Sequence, residues 1–148
     1  MPRKVILSLA MSLDGFLADP DGGYAWIRGD GRHALDTGTR WDYPVATRHP
    51  RPDVGNVRFV ADPVASVREA KAQPGRDIFL FGGGKLVESF LAADLVDEYI
   101  LGIVPVILGD GRPVFLGKHP PIPLQLDAFS LEEGIAILRY SRRSEVTP

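Results

Sequence analysis

Apolar residues are arranged along this chain in two ways. In the first, Val5 to Met11, Ile78 to Phe81 and Val96 to Val106 are short runs of mostly apolar residues bounded by Gly, Asp or Pro, as strands covered on both faces require. In the second, Leu86, Val87, Phe90 and Leu91 recur at the spacing of one helical face, and Val64, Val67 and Ala70 do the same behind Asp62-Pro63. Asp62-Pro63 is a strong helix start, because Asp caps and Pro fits the first helical position. Tyr43 to Thr47 and Val57 to Val60 read as shorter strands. Leu124 to Phe129 and Ile135 to Tyr140 alternate about Ser130 to Gly134, which predicts an antiparallel hairpin. Pro105 marks an edge or the end of regular pairing. Helices and strands alternate early and strands dominate late, so a mixed sheet with helices on its faces is expected in a single domain, residues 1–148.

The stretch around which the rest is organised is Asp77 to Leu91, read as strand, turn and helix. Gly82, Gly83 and Gly84 lack a Cβ, so the backbone there is free to take positive φ or to approach a bound group closely. A helix start exposes unpaired N–H groups and the positive end of a dipole, which suits a phosphate. A tight turn that binds nothing fits the spacing equally well. Neither a Walker loop nor a Gly-x-Gly-x-x-Gly fingerprint after a strand is present. After the first strand, Asp14-Gly15 and Asp21-Gly22-Gly23 punctuate a loop whose apolar pair, Phe16 and Leu17, is placed to wall a pocket.

Composition narrows the possibilities. No apolar run is long enough to cross a bilayer, and the N-terminal run reads as a strand instead of a signal peptide. The absence of cysteine removes disulfides, thiol nucleophiles and thiolate ligands, and a cytoplasmic location fits. A net charge of −2 supplies no overall field for a polyanion, which argues against nucleic acid as a partner. His33, His49 and His119 are too far apart for a helical metal site and are expected on the surface or in loops, with no metal bound. Asp94, Asp97 and Glu98 read as a solvated link between helix and strand, and Trp26 and Trp41 as packing residues.

Three segments resemble the dihydrofolate-reductase-like proteins of the riboflavin-biosynthesis reductase (RibD C-terminal domain) type. They are Val5 to Ala18, Phe79 to Gly84 and Ile103 to Phe115, in the family's order. The resemblance implies a three-layer α/β/α dihydrofolate reductase-like mixed sheet ending in an antiparallel hairpin. It also implies NADPH as cofactor, a small-molecule substrate and a homodimer. The nearest activity is 5-amino-6-(5-phosphoribosylamino)uracil reductase.

By that resemblance Gly82, Gly83 and Gly84 would hold the pyrophosphate, with Ala10, Lys85 and Leu86 also on the cofactor and Thr47 and Arg48 at the adenosine 2′-phosphate. Asp14 would be the catalytic group, bonding substrate or positioning a proton donor. Ser12, Gly15, Val104, Pro105, Leu108, Gly109 and Gly111 would shape the substrate walls. An Asp-Gly pair is also an ordinary turn.

Between Trp41 and Tyr43 the chain departs from the family by about one helix–strand unit. That departure keeps a second expectation open, a non-catalytic dimeric nucleotide-binding protein that retains the fold.

Overall fold

The computed structural model describes residues 3–27, 43–46, 52 and 57–143. In chain order its elements are β1 (Val5–Ser12), β2 (Phe16–Ala18), β3 (Tyr43–Ala46), β4 (Val57–Val60), α1 (Pro63–Lys71), β5 (Ile78–Leu80), α2 (Gly84–Ala92), β6 (Glu98–Val104), β7 (Arg112–Pro113), β8 (Leu124–Glu132) and β9 (Ile135–Arg142). They fall into two compact units, residues 1–2 with 29–75 and residues 3–28 with 76–148.

In the smaller unit β3 and β4 pair in parallel. α1 begins as expected: Asp62 Oδ1 accepts from Ala65 N at 3.0 Å, and Pro63 occupies the first turn, where a missing N–H costs nothing.

The larger unit is built on a five-stranded sheet of order β5-β1-β6-β9-β8. β1 lies parallel to both β5 and β6, while β9 and β8 are antiparallel additions. Alternate residues of β1, namely Val5, Leu7 and Leu9, share a face by register with Tyr99 and Leu101 of β6, and all five are buried. Val87, Phe90 and Leu91 of α2 complete the apolar set, so the spacing read from the sequence corresponds to a helix that buries one face. α2 ends with Leu95 N donating to Phe90 O and Asp94 N to Leu91 O. This double closure places Asp94 at φ 58, a conformation its short polar side chain tolerates. Among the described residues no helix is long and apolar enough to span a membrane.

Three details differ from the sequence expectation. β6 begins at Glu98 instead of Val96 and stops at Val104, directly before Pro105. The hairpin turn is only Glu133-Gly134, at φ 50 and 83, and the strands reach it from both sides. Positive φ at both central residues matches the right-handed twist of the flanking strands. The antiparallel pair β2–β7 was not anticipated, because strands of three and two residues are too short to show alternation. Gly111 makes the pair possible, since a Cβ there would lie 2.4 Å from Ala18 O.

Candidate functional site

β1, β5 and β6 run in the same direction, so Ser12, Leu80 and Val104 bring three strand ends to one edge of the sheet. In open α/β sheets this is where loops converge and ligands sit. A cleft of about 920 Å³ lies at that edge. Its walls include Ala10, Leu17 and Tyr24, the segment Phe81 to Leu86, and Arg112, Pro113 and Leu116. The volume suits a cofactor-sized molecule, and most of these walls are apolar.

The start of α2 opens into this cleft. Gly83 is the N-cap at φ −75, ψ 169, and no side chain caps the helix, so its first N–H groups have no side-chain acceptor. None of Gly82, Gly83 and Gly84 takes positive φ, contrary to one reason offered for the glycines. The requirement is for space. A Cβ on Gly84 would fall 2.6 Å from Pro113 O, so α2 could not seat against β7 with any other residue there. A Cβ on Gly83 would meet nothing within 4 Å.

Lys85 and Arg112 both line the cleft, and among the described residues neither side chain has a hydrogen-bond or ion-pair partner. Among the described residues no carboxylate lines the cleft. A chain of net charge −2 therefore carries a locally cationic hollow with a helix N-terminus in its wall.

Behind the cleft two loops are tied together by Asp14. Its Oδ1 accepts from Ser12 Oγ at 2.6 Å and from Leu108 N at 3.1 Å, and its Oδ2 accepts from Gly109 N at 2.9 Å. Ser12 Oγ in turn accepts from Phe16 N at 2.9 Å, and Leu13 N donates to Val106 O at 2.9 Å. The Ser12 hydroxyl, ahead of the Gly109 and Leu108 amides, holds the Asp14 carboxyl below its ordinary range, against a smaller opposing effect of desolvation. A depressed pKa means the clamp contributes stability above the ordinary carboxylate range and loses it as pH falls through the lowered value.

Ser12 is fully buried, so Ser12→Ala strands the Phe16 amide and is expected to cost about 1–3 kcal/mol in chemical denaturation. A change below a few tenths would mean the hydroxyl is not structurally engaged.

Of the expected site residues, Ala10, Gly82, Gly83, Gly84, Lys85, Leu86 and Gly111 line the cleft. Ser12, Asp14, Gly15, Val104, Pro105, Leu108 and Gly109 are not among its lining residues. Ser12, Asp14, Leu108 and Gly109 instead belong to the clamp behind it. Thr47 and Arg48 lie outside the described residues.

Sequence reasoning missed Tyr24, Phe81, Arg112 and Leu116 as wall residues. Phe81 read as strand interior, yet β5 ends at Leu80 and Phe81 is 77% exposed. His119 sits in a loop as expected but is largely buried, with Nε2 3.8 Å from the carboxylate of Glu88. Asp94 meets Arg142, Asp97 accepts from Val5 N, and Glu98 pairs with Lys4, so the three acids serve separate contacts.

Comparison with known proteins agrees with the fold. YyaP of Bacillus subtilis, a protein itself uncharacterised, is 28% identical in an alignment of 181 positions that takes in 93% of this chain and 94% of YyaP. Among solved structures, Acinetobacter baumannii RibD superposes with a TM-score of 0.74 at 17% identity, over 96% of this chain and 58% of RibD. Dihydrofolate reductase of Enterococcus faecalis, solved with NADP(H), gives 0.70 at 13% identity over 95% and 97% of the two chains. The fold is therefore dihydrofolate reductase-like. The model of the RibD C-terminal domain matches residues 42–133, more than half of the chain, and the protein belongs to that family.

Proposed function

We propose that this protein is an NADPH-dependent reductase of a small pyrimidine- or pteridine-like heterocycle, of the kind used in riboflavin biosynthesis. One observation carries the reading: an uncapped helix N-terminus and two cations without a partner among the described residues open into an otherwise largely apolar cleft at the ends of three parallel strands. Membership of the RibD C-terminal family and the NADP(H) bound by the Enterococcus neighbour support it.

The residues fit such a cofactor. The amides at the start of α2 and the Lys85 ammonium would hold its diphosphate, and the open side of Gly83 leaves room for the phosphate oxygens. When bound, the cofactor supplies a hydride. Beyond that, the reaction asks the chain mainly for orientation and exclusion of water. Ala10, Leu17, Tyr24, Phe81 and Leu116 supply apolar walls, and the Asp14 clamp holds the two loops in register. Asp14 thus acts by positioning, because its carboxylate already accepts from three donors. Thr47 and Arg48 are assigned to the 2′-phosphate, and a second copy to the β8–β9 hairpin, where Phe129 and Leu131 are 78% and 76% exposed on an edge strand.

A second reading, a nucleotide-binding protein without turnover, is favoured by the YyaP alignment. It is longer than this 148-residue chain, so the relative has residues with no counterpart here. Following NADPH absorbance with a panel of aminopyrimidines and pterins separates the two. Substrate-dependent oxidation supports the reductase, whereas saturable NADPH binding without any oxidation supports the second reading.

A further inference from the structure

Arg112 lies in the segment Ile103 to Phe115, where the family resemblance assigned substrate walls to Leu108, Gly109 and Gly111 and no role to Arg112, yet its side chain faces the cleft from β7. The next residue, Pro113, sets its carbonyl directly against Gly84, the first residue of α2, so the two elements meet at the helix start. Among the described residues no ion pair occupies the guanidinium, which lies against the loop after β2: a Cβ on Gly22 would come within 3.0 Å of its Cζ. Gly22 has φ +88 and no side chain, and both features leave that space to the arginine. The guanidinium is thus held by backbone packing while its donors stay available.

We propose that Arg112 is a binding residue for the diphosphate of the dinucleotide, gripping it from the β7 wall while the α2 amides and Lys85 hold it from the helix side. This rests on the reading of the cleft as a dinucleotide site. A planar guanidinium offers two parallel donors to two phosphate oxygens, a geometry an ammonium cannot match. The charges also balance, since Lys85 and Arg112 bring two positive charges and the helix end a partial one to a group carrying two negatives. A group within reach of both Arg112 and the first turn of α2 has to sit where β7 and α2 meet, which points to the diphosphate and away from the 2′-phosphate.

The test is calorimetric titration of wild type and Arg112→Ala with NADPH and with NADH, beside Arg48→Ala as a control. Because the diphosphate is common to both cofactors, Arg112→Ala is expected to weaken both by the same factor, about tenfold. Arg48→Ala is expected to weaken NADPH alone. Arg112 is exposed, and an unchanged melting temperature would show that the fold is intact. A loss confined to NADPH, or no loss for either cofactor, overturns the Arg112 assignment while leaving the cleft reading in place. A wild type that binds neither cofactor overturns the cleft reading and the assignment with it.

Discussion

Gly83→Asp is expected to abolish dinucleotide binding while leaving the protein as stable as before or slightly more so. The two effects have opposite signs because one position serves both purposes. Gly83 is the N-cap of α2, its backbone is already in the extended conformation that a capping residue adopts, and a Cβ there meets nothing within 4 Å. An aspartate would fit without strain and cap the first N–H groups. The gain over glycine is a few tenths to about 1 kcal/mol from the cap and the helix dipole. The same carboxylate would stand where the diphosphate has to sit, adding like charge and taking up its donors. Like-charge contact costs several kcal/mol, which corresponds to a loss of about a hundredfold or more in affinity. Thermal melts together with NADPH titration of the one variant read both signs. Retained affinity would mean that the helix start is only a turn.

The largest effect on stability is expected at Phe90. It is 1% exposed on the buried face of α2, and Phe90→Ala is expected to cost about 3–5 kcal/mol, a large share of the total for a protein of this size. Phe81 stands nine residues earlier, just past the end of β5, and lines the cleft at 77% exposure. Phe81→Ala is therefore expected to change stability by no more than about 0.5 kcal/mol. Urea unfolding of the pair checks the contrast. Equal losses would mean that Phe81 is packed like Phe90 and that the cleft wall is misassigned.

These two phenylalanines also indicate how far the sequence could be read. Phe90 announces itself through its spacing from Leu86, Val87 and Leu91, because helical periodicity records which face is buried. Phe81 ends a run of four apolar residues that carries no periodicity, and only the observed end of β5 at Leu80 releases it from the core. Asp62-Pro63 placed the start of α1 correctly because a cap is a local interaction. The β2–β7 pair depends on Gly111 clearing Ala18 O across 93 positions of chain, and no local pattern records such a contact.

The same division applies to the site. The glycines at the start of α2 were legible as residues that need space, and they line the cleft without taking positive φ. Arg112 was not legible, because its guanidinium lies against Gly22, ninety positions earlier in the chain, and no local pattern records such a contact. Asp14 stood out in the sequence as the catalytic candidate, but its three donors were not legible, since they come from Ser12, Leu108 and Gly109, and two of these lie in a loop more than ninety residues away.

Nitrogen-15 NMR of the protein titrated with NADP⁺ tests the central claim most directly, because it observes the amides that are held to grip the diphosphate. The expected result is one saturable set of changes, largest at the backbone amides of Gly83, Gly84, Lys85 and Leu86 and accompanied by Arg112. The account is contradicted if those amides stay still at millimolar NADP⁺. It is equally contradicted if the changes gather at the separate hollow of about 490 Å³ lined by Glu98, Asp127 and Arg139.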